Sequence, residues 1–409
     1  MPLKQAAECH FIILAYNMAY DEEIVRCKYA ALCVRSAIMC LLTLHLPTWR
    51  MPLHRRILLS LFTLPLFAGL VKAGPAAPAA LDAAVTQHLG ADYNGVVLLQ
   101  AGPAAAPQIG SYGLANREQK LPFTASTPFQ IASISKWLSA VAVLRLVDQR
   151  KLKLDLPIST YLPKLPAHTG AITLRQLMSN SAGIPNGAMQ EYKKNPGMAD
   201  EPLSKAAATE RYATGPLLFA PGTAWDYSPT TWIVVAAIIE RASGMPFEEA
   251  INDLVLRPAK ATSTAVPLTP FKDKPGAAQA YKAAPSTELN MPPHMVFVAA
   301  SGTIYSTVSD LAAIAHTVYE TALLTPSSRA ELSRVMVPSE NYALGGRVRK
   351  MMLGGRERTV AWETGAMGGY KSVLAYVPGE GKTVVIANNT SMDQKVLASA
   401  AEALLKGLY

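Results

Sequence analysis

Cysteine is missing from this sequence after residue 40. Cys9, Cys27, Cys33 and Cys40 all fall within the first fifty residues. The rest of the chain therefore has no disulfide available, and its stability must come from a packed core. Runs of like charge are missing as well. Residues 1–73 hold 8 Lys+Arg against 4 Asp+Glu, which leaves 30 against 25 for the remainder, and no stretch collects five or more charges of one sign. So thin a balance of +5 argues against a nucleic-acid partner. His88, His168, His294 and His316 show no metal-ligand spacing, so neither a metal nor a cofactor is implied. The apolar run Ile57–Val71 is short for a permanent membrane span, so a membrane contact would need the segment to stay uncleaved.

Half of the 409 residues are hydrophobic, a globular composition with enough length for a large core. The first 73 residues stand apart. Met51-Pro-Leu-His-Arg-Arg56 looks like a fresh amino terminus, followed by Ile57–Val71 and then Val71-Lys-Ala-Gly74. A basic start, an apolar run and small residues make a secretory signal over 51–73 with cleavage after Ala73. Residues 1–50 then read as an over-extended gene model, with translation starting at Met51. The competing reading is a Cys-bearing membrane or redox segment over Ile12–Leu46, against which Asp21, Glu22, Glu23, Arg26 and Lys28 argue. With cleavage, the mature chain is 74–409 and is periplasmic or secreted.

Only one Ser-x-x-Lys occurs, at Ser133 and Lys136, ahead of the apolar segment Ile134–Val147. The segment predicts a helix buried on nearly every side. Residues three apart share a helix face, so the Ser133 hydroxyl and the Lys136 amine can meet. Burial lowers a lysine's affinity for its proton, which suits Lys136 to take the serine proton. The helix N-terminus adds positive potential where an oxyanion would form. One such match is expected by chance in a chain this long, so the remaining segments decide.

Leu81–Leu89 has helical spacing, Gly95–Ala101 reads as a buried strand and Gln108–Ala115 as its neighbour. Near the other end, Thr359–Thr364, Ser372–Val377 and Thr383–Ala387 read as strands, and Met392–Leu408 as a closing helix. The expectation is an α/β (α+β) fold. One antiparallel sheet is built from both chain ends (about 80–150 and 300–409), flanked by helices, with a mainly helical insertion over about 151–299. Within the insertion a helix opens at Thr173 and closes near Gly183, and a second runs Thr231–Arg241. Tyr227 sits in the turn before that second helix, placed to point a phenol into a cleft, where it could act as general base and acid or merely pack. Trp362-Glu-Thr-Gly-Ala-Met-Gly-Gly-Tyr370 puts glycines after a strand, where a ligand can approach backbone closely.

Five segments in order resemble the serine hydrolases related to class C β-lactamases, D-alanyl-D-alanine peptidases and the esterases that share their fold. Phe129–Lys136 looks like the Ser-x-x-Lys box, Leu174–Pro185 like the helix and turn that follow, and Phe219–Pro229 like the Pro-Gly-x-x-x-x-Tyr-Ser-Asn segment. Ala300–Asp310 and Ala361–Tyr370 are similar to the Gly-x-x-Ser-Thr-x-x-Asp-Leu stretch and the Lys/His-Thr-Gly box. The resemblance implies a β-lactamase/transpeptidase-like fold and acyl transfer to a small-molecule or peptide substrate. It assigns catalysis to Ser133, Lys136 and Tyr227, the oxyanion hole to the N–H groups of Ser133 and Ala366, and substrate contacts to Glu363, Thr364 and Gly365. Two positions depart from the family. Pro229 stands where the family has Asn, and Glu363 where it has Lys or His. An ionised Glu363 would repel a substrate carboxylate, so neutral or cationic esters or amides are expected ahead of anionic β-lactams. The other class of reading is an idle binding or sensor module. The long Ala265–Pro293 stretch is expected as a loop beside the cleft.

Overall fold

The computed structural model describes residues 78–409, so the signal segment and the extra amino-terminal stretch lie outside the described residues. Its main elements are α1 (Ala79–Leu89), β1 (Gly95–Gln100), β2 (Gln108–Tyr112), α2 (Ile134–Asp148), α3 (Pro229–Ser243) and α4 (Val308–Glu320). Then follow β3 (Arg347–Leu353), β4 (Arg356–Met367), β5 (Tyr370–Val377), β6 (Lys382–Asn388) and α5 (Gln394–Lys406).

The six strands form one antiparallel sheet in the order β2-β1-β6-β5-β4-β3. Its middle joins the two ends of the chain, with Gly95 opposite Asn388 and Gln100 opposite Thr383. Helices cover both faces. Val97, Val384, Ile386, Val373 and Ala375 pack on α1 and α5, while Val96, Leu98, Val385, Leu374 and Tyr376 face the core shared with α2 and α3. Strands buried on both faces need apolar residues at every position, which is why Gly95-Val-Val-Leu-Leu99 runs unbroken instead of alternating. The fold class is thus α/β (α+β), a sheet from both chain ends with helices around it.

Between β2 and β3 lie shorter helices and the long helix α3. Ile233 turns toward a separate cluster with Met198, Tyr212 and Phe297, and Trp232, Val234, Val235, Ala236, Ile238 and Ile239 join the core that also holds α2. Pro229 occupies the first turn of α3, where a missing N–H costs nothing, and Gly244 ends it at φ 77°. The helix opened by Thr173 is shorter than the sequence suggests. Thr173 and Gln176 form a capping box, but the helix stops at Met178 because Asn180 turns left-handed, at φ 55°. No helix among the described residues is long and apolar enough to cross a membrane.

Candidate active site

A two-residue ladder, Phe129–Gln130 against Tyr305–Ser306, leads into the site, and the Ile131 N–H donates to the Ile304 carbonyl at 2.9 Å. The chain then reverses through Ala132 at φ 48°, a region that a residue with a Cβ seldom adopts. That reversal sets Ser133 at the N-cap of α2. A serine there usually accepts a bond from the helix's first free N–H groups, but Ser133 makes no such cap. Its hydroxyl instead accepts from Lys136 Nζ at 3.2 Å.

Lys136 is 1% exposed. Its ammonium also donates to the Ser301 carbonyl at 2.6 Å and lies 4.7 Å from the centre of the Tyr227 ring. Ser133, Lys136 and Tyr227 thus meet in space, although Tyr227 is 91 residues beyond Lys136 (227 − 136). The turn carrying Tyr227 is held by Asn180, whose carbonyl accepts from the Asp226 N–H at 3.0 Å and whose side chain accepts from Trp232 Nε1 at 3.2 Å. Trp225 lies 6.0 Å from the Tyr227 ring, and Tyr342 meets it edge-on at 6.3 Å.

The far wall is β4. Its pairing with β3 ends at Trp362, so Glu363–Met367 pair with β5 alone and leave one edge free. Gly365 lies on the backbone that leads to the nucleophile. A Cβ there would stand 2.1 Å from the Ile131 carbonyl oxygen, and the Ser372 hydroxyl opposite donates to that same oxygen at 3.2 Å. Only glycine allows this approach of β4 to Ile131, and the next residue, Ala366, is exposed. Thr364 is half-buried opposite Val373.

Glu363 is placed differently from the substrate-facing anion that its position in the sequence suggests. The residue is 4% exposed, and its carboxyl packs over Gly346, where a Cβ would stand 1.9 Å from Oε2. Burial pushes the carboxyl up to about 8, with Arg347 pulling weakly the other way, so it is largely uncharged at pH 7. Tyr342 is fully buried and feels both Tyr227 and Glu363. Burial first, and then those two neighbours, push its phenol far above the usual range. Sequence reasoning missed Tyr342, Asn180 and the Ser301 carbonyl. Asn180 carried a usable signal, since asparagine tolerates the left-handed turn that its neighbours refuse. A backbone acceptor such as Ser301 and a lone buried tyrosine carry none.

A family model described as Beta-lactamase matches residues 81–408. The chain is 34% identical to Esterase EstB of Burkholderia gladioli over 158 residues, which cover 36% of this chain and 40% of the esterase. It is 28% identical to a β-lactamase of Pseudomonas fluorescens over 354 residues, 76% of this chain and 92% of that protein. Among solved structures, a penicillin-binding protein from Bacillus halodurans superposes with a TM-score of 0.68 at 23% identity, over 79% of this chain and 98% of that one, a likeness of fold.

Proposed function

The chain belongs to the β-lactamase family, and on that premise we propose that it is a serine hydrolase cleaving an ester or amide through an acyl-enzyme on Ser133. The observation that carries the proposal is the buried Lys136 ammonium, held 3.2 Å from the Ser133 hydroxyl and 4.7 Å from the Tyr227 ring. Lys136 and Tyr227 share the removal of the hydroxyl proton as Ser133 Oγ bonds to the substrate carbonyl carbon. The oxyanion forms between the N–H groups of Ser133 and Ala366, where the helix start and the free strand edge supply donors. Collapse expels the alcohol or amine, which takes a proton through Tyr227. Water then attacks the acyl carbon, its proton returning by the same groups, and frees Ser133 with release of the acid. Export by the segment 51–73 fits this reading, with a small-molecule or peptide substrate met outside the cytoplasm.

Neutral esters fit the site best. Glu363 offers no cation for a substrate carboxylate, and Pro229 removes a side-chain amide. The test is intact mass of residues 74–409 after incubation with a fluorophosphonate, beside Ser133→Ala, with rates on p-nitrophenyl acetate and nitrocefin. One adduct that the variant loses, with the ester turned over faster than nitrocefin, is the expected result. Faster nitrocefin turnover keeps the mechanism and removes the preference for neutral esters. Absence of an adduct overturns the hydrolase assignment in favour of a binding module.

A further inference from the structure

Met367 ends the free edge of β4, two residues beyond Gly365 and so on the same face of the sheet, the face that lies on the Ile131 carbonyl. Its side chain reaches the buried segment Ala299–Gly302. A Cβ placed on Gly302 would stand 3.3 Å from Met367 Sδ and 3.8 Å from its Cε, so the end of the thioether fills the space that a side chain at 302 would take. Gly302 ends a short helical turn without a left-handed φ, so its backbone does not call for glycine. The sulfur above it does.

The floor beneath Met367 is fastened to the helix that carries the nucleophile. The Ser301 carbonyl accepts from Lys136 at 2.6 Å, and the Ala300 carbonyl accepts from the Ser139 hydroxyl at 3.1 Å. From behind, the Gly368-Gly369 turn is pressed against Asn290. A Cβ on Gly368 would stand 2.3 Å from the Asn290 carbonyl oxygen, and the Gly369 N–H donates to that oxygen at 2.8 Å. Met367 is thus held from both sides, yet it is only half-buried and keeps part of its surface open. The direction of the cleft follows from Tyr227. That phenol meets Tyr342, whose own neighbour is Glu363 at the start of the free edge. Four residues of strand, about 13 Å, separate Glu363 from Met367. With the leaving group at the Tyr227 end, the acyl chain has to run toward Met367.

Resting on the hydrolase assignment above, we infer that Met367 closes the acyl side of the cleft and limits the enzyme to esters or amides of short acids. A short acid such as acetic leaves the thioether in place, whereas a longer unbranched chain has to displace it. Methionine has three rotatable bonds, but here Gly302 beneath and the Asn290 turn behind restrict its swing. This wall is apolar, so it selects by length and not by charge.

The test compares kcat/KM for p-nitrophenyl acetate and p-nitrophenyl hexanoate within each of three mature proteins, the wild type, Met367→Ala and Met367→Leu. Wild type should favour the acetate about tenfold or more, and Met367→Ala should bring the ratio close to one. Met367→Leu keeps the bulk and should keep the wild-type ratio. A general loss of activity cancels in the ratio, and a methionine that only packs would leave it alone in every variant. A wild-type ratio near one, or an alanine variant with the wild-type ratio, overturns the inference and leaves the hydrolase assignment standing. If neither ester turns over but a fluorophosphonate still labels Ser133, the same comparison is read from labelling rates with methyl and hexyl fluorophosphonates and decides in the same way. Absence of turnover and of label together overturns the hydrolase assignment, and the inference falls with it.

Discussion

Lys136 holds its amine away from water with only a hydroxyl, a carbonyl oxygen and a phenol ring around it. An apolar side chain of similar length would pack there more comfortably, so the lysine is a burden on the fold that the proposed base role would explain. Lys136→Met should leave the melting temperature equal or higher while hydrolysis falls about 10²–10⁴-fold, the usual span for losing a general base. Loss of both together would make Lys136 a structural residue. Glu363 makes a second case. Its carboxyl holds its proton up to about pH 8 in the folded protein, against 4.5 for an unperturbed group. The folded state therefore carries more protons than the unfolded one between those values, and stability falls as pH rises through that window. The slope contributed is up to about 1.4 kcal/mol per pH unit. Thermal unfolding should show Glu363→Gln melting above wild type at pH 8.5, with the two converging near pH 4.5. Parallel curves would place the proton elsewhere. The Ser-x-x-Lys pair was legible because helical spacing alone joins its members. The burial of Glu363 was not, since a charged residue before Thr-Gly gives no sign that Gly346 will lie beneath its carboxyl.

Strand β4 does two jobs along its length, pairing with β3 from Arg356 to Trp362 and with β5 from Ala361 to Met367, so that only Ala361 and Trp362 have a partner on both sides. Gly365 fixes how near the free edge comes to Ser133. Gly365→Ala puts a methyl 2.1 Å from the Ile131 oxygen and must push the strand outward. Acyl transfer should drop at least tenfold in kcat while circular dichroism stays native, and unchanged kcat would remove the edge from the mechanism. Strands β1, β5 and β6 could be read from the sequence because both of their faces are buried, and an apolar run needs no partner to be noticed. Strand β3 escaped. Arg347-Val-Arg-Lys-Met-Met-Leu353 is an edge strand with Lys350 exposed, while the half-buried Arg349 lies over the Trp362 ring at 4.1 Å. Its one usable signal was the pair Gly354-Gly355, both at positive φ, which turns the chain into β4.

For the molecule as a whole, the junction of β1 with β6 decides whether there is a sheet at all. Tyr93 and Asn94 reinforce it from one side, Tyr93 donating to the Ala387 carbonyl at 2.7 Å and Asn94 accepting from the Asn388 side chain at 3.2 Å. A chain cut after Gly381 lacks β6 and α5 and leaves the β1–β2 hairpin with no neighbour. Such a fragment should show no cooperative melting, and a sharp transition would mean the helical region folds alone. That both ends contribute to one sheet could be anticipated from where the apolar strands fall. The burial of Ala277, Ala278, Ala280 and Tyr281 inside the long Ala265–Pro293 loop could not, because alanines there give no periodic pattern and are held by Gln279 and Tyr281 reaching distant backbone.

Gly95 and Asn388 sit opposite one another across 293 residues of chain (388 − 95). At a synthesis rate of roughly 5–20 residues per second, β1 waits on the order of 15–60 s for its partner to be made. During that interval an apolar strand is offered to any other strand in the cell. Yield should consequently track how well nascent chains are sheltered, more closely than it tracks the melting temperature of the finished protein.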